Sequence, residues 1–165
     1  MTAMRRGAGV AELGHGVAIG IVKDLNDPKG EGRVVLEYPW LPQSLRSDWA
    51  PIATPLAGPQ RGMFYMPEIN DEVLVAFEQG DFTHPFVVGF LWSGGQKPPE
   101  TNPQRRLIKT PGGHQFIFAD DSPKKITLQS AGGLQIVLDD AGSGSITLHG
   151  GGRILAMQDG KVQIS

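Results

Sequence analysis

The side chains best suited to chemistry are few and scattered. Four histidines, His15, His84, His114 and His149, share no spacing, and the 165-residue chain contains no cysteine. A zinc site of the Cys/His type therefore has no ligand set to draw on, and neither a metal nor a cofactor is expected. A threefold assembly would bring three copies of one histidine to its axis. His149 alone lies deep enough in the C-terminal half for that, and it falls on the polar side of the alternation after Ile146 and Leu148. The carboxylate pairs Asp120-Asp121 and Asp139-Asp140 suggest acid/base hydrolysis, which needs two carboxyls held apart across a cleft. Each pair instead ends a strand-like run before Ser122-Pro123 or Ala141-Gly142, where aspartate favours turns. No nucleophile, base and orienting group come together, so no catalytic residue and no enzymatic activity are expected.

Two further groups invite binding. Gly150-Gly151-Gly152 has the composition of a phosphate loop but lacks the Lys-Ser/Thr and the helix that phosphate binding requires. The aromatics Trp40, Trp49, Trp92, Phe64 and Tyr65 suggest a stacking platform for single strands. They are flanked by Pro39, Asp48 and Ser93 and lie near Glu68, Asp71 and Glu72, rather than among basic residues. Barrel core or packing between subunits is the expected use. Fifteen basic against seventeen acidic residues leave a net charge of −2, and phosphate neutralisation needs a basic excess. Nucleic acid is not expected as a partner.

The elements that position these residues are strands. Gly (23) and Pro (13) far exceed the usual share, which calls for many turns. No apolar run approaches the ~20 residues of a membrane-spanning helix. Residues 1–14 read as a flexible arm without the apolar stretch of a signal peptide. Five runs follow within residues 15–92: Gly16–Lys23, Arg33–Tyr38, Pro51–Thr54, Glu72–Glu78 and Pro85–Trp92. Their number and brevity predict a closed five-stranded barrel of the OB type. The last two are apolar at successive positions, as in strands buried on both faces, and the second face is expected to meet another chain. Residues 93–106 contain no apolar side chain and read as a Pro/Gly linker.

From 107 to 165 seven short alternating runs recur every 8 to 11 residues: Leu107–Thr110, Gln115–Ala119, Lys125–Ser130, Leu134–Asp139, Ser145–His149, Arg153–Gln158 and Lys161–Ser165. One strand and one tight turn per repeat is the signature of a meander or solenoid. Such a ribbon has a single apolar stripe, through Ile126, Leu128, Leu134, Ile136, Leu138, Ile146, Leu148, Ile154 and Ala156. A core needs a second layer, and the chain has no element left to provide one. Three copies burying their stripes around a common axis solve the problem. The expected fold is all-β: an N-terminal barrel followed by a needle, in which the strand repeat forms an intertwined, trimeric, triangular β-helix (a β-prism).

Over residues 16–165 the chain resembles the barrel-and-needle part of contractile-tail spike proteins, namely phage baseplate assembly protein V and the VgrG proteins of type VI secretion. The matching stretches are Gly20–Asp24 with Gly32–Trp40; Ser47–Ala53, running into Ala57-Gly58 and Arg61-Gly62; Met66–Asp81 with His84–Gly89; and Ile108–His114, which leads into the needle. Their order and spacing carry the resemblance.

The resemblance implies a homotrimeric spike that joins a hub protein to a tip protein in a contractile injection machine, such as a phage tail, tailocin or type VI-like particle. Such a spike is assembled in the cytoplasm and touches a target membrane transiently when it is driven through. With only the arm before the first strand, the hub is expected to be a separate baseplate protein. No lysozyme-like insertion and no His-x-His tip motif is seen. The last run, Lys161–Ser165, stops in mid-alternation, and a blunt prism end exposes unpaired backbone groups. By the resemblance, a conical PAAR-like protein docks there, on Val162, Ile164 and Ser165. The alternative reading is an OB-type binding module for single-stranded nucleic acid or glycan with a β-rich trimerisation tail.

Overall fold

The computed structural model describes residues 16–41 and 45–165; the expectations for the arm 1–14 and for His15 lie outside them. The chain divides into two compact units, one up to Lys97 and the other from Pro98 to Ser165. Both are built from β-strands, and among the described residues there is no α-helix.

In the first unit, β1 (Val17–Asp24), β2 (Val35–Glu37), β5 (Glu72–Phe77) and β6 (Pro85–Leu91) form an antiparallel sheet in the order β2-β1-β5-β6. A short hairpin, β3 (Ala57–Gly58) with β4 (Arg61–Gly62), stands apart from it. The sheet closes through residues 50–53. Ala50 pairs antiparallel with Val34, next to β2, and Ile52 pairs in parallel with Val87 of β6. The expected run Pro51–Thr54 is therefore present as the closing element, but as bridges rather than a regular strand. Pro51 lacks an N–H, and the segment is tied to β6 only by Val87 N–H to Pro51 O (3.0 Å) and Ala53 N–H to Val87 O (2.8 Å).

The core of this unit is Val22, Val34, Leu36, Ala50, Val73, Val75 and Val87, with Tyr38 and Phe77 at one end. In β1 the inward positions are Gly20 and Val22, while Val17 and Ile19 are exposed. Gly20 is demanded by closeness: a Cβ there would lie 3.0 Å from Val75 Cγ2. The Tyr38 and Phe77 rings meet at 5.8 Å and Phe77 meets Phe82 at 4.6 Å. Phe64 and Trp92, 78% and 71% exposed, lie outside this core, which leaves packing between subunits as their expected use. Trp40 lies at the surface with its indole N–H on Ile19 O (3.1 Å).

The β1–β2 loop is organised around Asp27. Its carboxylate accepts the backbone N–H groups of Lys29, Glu31 and Arg33 and a two-pronged bond from the Arg33 guanidinium, at 2.6 and 3.1 Å. Arg33 in turn stands 6.0 Å from the Trp49 ring centre, within cation–π range. The Arg33 guanidinium holds the Asp27 carboxyl well below the usual carboxylate range.

The second unit is one seven-stranded antiparallel meander: β7 (Arg105–Lys109), β8 (Gln115–Ala119), β9 (Lys125–Gln129), β10 (Gln135–Asp139), β11 (Ser145–Gly150), β12 (Arg153–Gln158) and β13 (Lys161–Ile164). Spatial order equals chain order. Every ladder joins sequence neighbours of one chain.

The stretch 93–106 is shared between the units. Ser93 and Gln96 exchange backbone hydrogen bonds, and the Gln96 amide reaches Asn70 O and Asp71 in the first unit. Glu100 accepts the N–H groups of Thr101 and Asn102 and pairs with Arg105, the first residue of β7.

Candidate functional site

Strand registers sort the second unit into two faces. One carries two columns of apolar side chains. The first runs Ile108, Phe116, Leu128, Ile136, Leu148, Leu155 and Ile164, each opposite the next across a ladder. The second runs Phe118, Ile126, Leu138, Ile146, Met157 and Val162. Leu134 extends the stripe at the rim, where its Cδ2 lies 3.0 Å from where Gly150 would carry a Cβ. The Phe116 and Phe118 rings lie 4.6 Å apart, tilted at 53° to each other. The opposite face carries Thr127, Val137, Thr147, Gln163 and the glutamines 115, 129 and 135.

Alternation places seven of the nine anticipated stripe residues on the apolar face and misplaces two. Ile154 lies opposite His149, and Ala156 opposite Thr147, so both belong to the polar face. Leu155 and Met157 take their places. In β12 four consecutive residues, Ile154-Leu155-Ala156-Met157, are apolar, so the sequence pattern has no preferred phase there and only the register decides. Val162 and Ile164 continue the apolar columns on β13, while Ser165 bonds to Ile154 at the sheet margin.

The apolar face is open to solvent in a single chain. In β9 and β10 the burial pattern is inverted: Ile126, Leu128, Ile136 and Leu138 are exposed, while Thr127 and Val137 between them on the other face are half-covered. No residue between Pro98 and Ser165 is buried, and the buried apolar core lies wholly in the first unit. A trough of about 520 Å³ runs along the face between Leu128, Leu134, Ile136, Leu148 and Ile164. A contiguous apolar surface of this extent marks an interaction site.

The polar candidates are engaged in holding turns and strands. Asp121 pairs with Arg105 at 3.1 Å, and Asp120 with Arg106. Lys125 and Asp139 pair across β9 and β10 at 2.7 Å, and Asp139 also accepts the Ala141 N–H. These cations lower the pKa of Asp121 and Asp139, whereas a general acid requires a raised one. His84 contacts Asp81 at 3.0 Å. His114 accepts the Ala131 N–H, and His149 approaches Thr147 Oγ1 at 3.3 Å on the polar face. Among the described residues no three His, Cys, Asp or Glu side chains converge to hold a metal ion.

Residues 18–92 match the family model for the type VI secretion system/phage-baseplate injector OB domain. The chain is 29% identical over 83 residues to the type VI secretion system spike proteins VgrG2a and VgrG2b of Pseudomonas aeruginosa, covering 48% of this chain and 10% and 8% of those proteins. It is 31% identical over 117 residues to the actin cross-linking toxin VgrG1 of Vibrio cholerae, covering 59% of this chain and 11% of that protein. The chain thus spans about a tenth of the length of these relatives. Over its closed barrel the chain is thus similar to the injector and spike proteins of type VI secretion and the phage baseplate.

Proposed function

We propose that this chain is the central spike of a contractile injection machine, with an injector barrel of residues 15–92, a connecting stretch of 93–106 and a trimeric needle of 107–165. The observation that carries the reading is the second unit without a buried residue. A seven-stranded ribbon with one bare apolar face lacks half of its core, and identical ribbons supply the missing half layer by layer. Burying one Leu or Ile side chain contributes roughly 1.5–3 kcal/mol, and the ribbon repeats the gain on every strand. Its role is structural rather than enzymatic. Asp120, Asp121 and Asp139 are spent on ion pairs with Arg106, Arg105 and Lys125, and His84, His114 and His149 on local contacts.

The spike role extends the printed names of the relatives, two of which are spike proteins of type VI secretion. By that likeness the partners are two further copies, a baseplate hub protein and a PAAR-like tip protein, within a secreted or virion particle that meets a target membrane transiently. The tip docks on Val162, Ile164 and Ser165 of three chains; Val162 and Ile164 are 65% and 76% exposed on the outermost strand. The test is the mass in solution. A trimer of about 53 kDa, from a 17.7 kDa chain, is expected, and a stable folded monomer refutes the reading.

A further inference from the structure

Turns of the meander alternate between its two edges. The β7–β8, β9–β10 and β11–β12 turns lie on one edge, and the β8–β9, β10–β11 and β12–β13 turns on the other. On the first edge, Thr110-Pro111-Gly112-Gly113-His114 and Ser130-Ala131-Gly132-Gly133-Leu134 are the same turn twenty residues apart. In each, the first residue's hydroxyl accepts the fifth residue's N–H, at 3.1 and 3.0 Å. Its carbonyl accepts the fourth residue's N–H, at 2.9 and 3.0 Å, and its own N–H reaches the fifth carbonyl at 2.9 Å in both.

The fourth residue explains itself: Gly113 and Gly133 have φ of 91° and 88°, a conformation that favours glycine. The third does not. Neither Gly112 nor Gly132 has a positive φ. A Cβ on Gly112 would stand 3.8 Å from its nearest atom, and one on Gly132 4.0 Å, both ordinary contacts. Their own chain therefore leaves room for a side chain at both positions. Among the described residues their N–H groups also find no acceptor within the chain.

We infer that the glycine edge of one ribbon packs against the Asp-bearing edge of the next copy, and that Gly112 and Gly132 are glycines because that copy's backbone lies against them. The inference rests on the trimer proposed above and names its corners. In a closed threefold ring each copy offers one edge to one neighbour and the other edge to the other neighbour, a heterologous contact. Successive turns on one edge are about 9.5 Å apart, twice the strand spacing, and the two edges are offset by one strand. With no rise between copies, the turn at 130–134 nests between the neighbour's turns at 120–124 and 140–144. That places the turn beside Asp140, whose carboxylate has no partner in its own chain among the described residues and can accept the free Gly132 N–H.

The chain has no cysteine, which makes the test clean. Ala131 and Ala141 lie on opposite edges, with β10 between them, roughly 20 Å apart at 3.3 Å per residue. That is far beyond the ~4.4–6.8 Å between Cα atoms that a disulfide spans. The full-length double variant Ala131→Cys/Ala141→Cys, oxidised and run on a denaturing gel, is expected to yield covalent trimers, and each single variant only monomers. Gly132→Ala is expected to lower the melting temperature of the trimer, although alanine at an unconstrained glycine normally raises it slightly. Gly94→Ala, another position with open space around it, is expected to leave the melting temperature unchanged or slightly raised. The barrel's three tryptophans report its folding in every variant. A trimeric wild type with no cross-link in the double variant, or with Gly132→Ala at or above wild-type stability, overturns the corner. A monomeric wild type overturns the trimer itself.

Discussion

Ile136 offers the sharpest test of the trimeric needle. It sits on β10, opposite Leu128 and Leu148, and is 39% exposed in the single chain. Ile136→Ala removes three carbons, about 2.4 kcal/mol of burial at ~0.8 kcal/mol per carbon. The share that only other copies can cover is about 0.9 kcal/mol per chain, or nearly 3 kcal/mol for three chains. At 1.4 kcal/mol per decade, the trimer's dissociation constant rises roughly a hundredfold, and because that constant scales as the square of concentration the trimer should dissociate at concentrations about tenfold higher; cavity formation adds to this. Ile136→Asp places three carboxylates in one apolar layer and should abolish assembly. The control is Val137→Thr, one residue along and on the other face between Thr127 and Thr147, which should leave the trimer intact. Sedimentation equilibrium over a dilution series measures all three. An Ile136→Ala variant that matches wild type, or a Val137→Thr variant that dissociates, refutes the assignment of the faces.

The phase of β12 separates in the same assay: Leu155→Asp should abolish the trimer, and Ile154→Asp should leave it. A chain ending at Lys97 keeps its complete core and should be folded by tryptophan fluorescence but monomeric by light scattering. Because Asp27 is held low by Arg33 in the fold, its stabilising contribution is complete above the ordinary carboxylate pKa of about 4 and fades as pH falls below it. Thermal melts of the barrel should therefore be flat near neutrality and drop in acid, and Asp27→Asn should melt lower at neutral pH with a shallower acid drop. Ile164→Asp should prevent capture of a PAAR-like tip protein without changing the mass of the spike; undiminished capture counts against the docking site.

Much of the fold was legible because strands of alternating polarity separated by Gly and Asp turns leave little choice of element. All seven strands of the second unit were anticipated, although β7 starts at Arg105, two residues earlier than expected. Three features were hidden for physical reasons. The hairpin of Ala57-Gly58 with Arg61-Gly62 has none of the β-branched residues by which strands are recognised. In β1 the bulkier Val17 and Ile19 face outward, since closing so small a barrel puts the smaller Ala18 and Gly20 inside together with Val22. In β12 an unbroken apolar run erased the phase. The bare apolar face was anticipated from the absence of any second layer, a property of the whole chain rather than of one motif. The twin turns around Gly112 and Gly132 were missed, and their signal was a Thr/Ser-x-Gly-Gly pattern repeated at an interval of twenty.

In the ribbon each strand bonds only to its sequence neighbours, so its long direction runs along the hydrogen bonds, which lie perpendicular to the strands. Tension along that direction falls on one ladder at a time, and the ribbon peels open strand by strand from β13. Thrust along the same direction presses every strand onto the next and breaks nothing. The ribbon is thus a column rather than a cable: a spike of this build tolerates being driven forward far better than being pulled back.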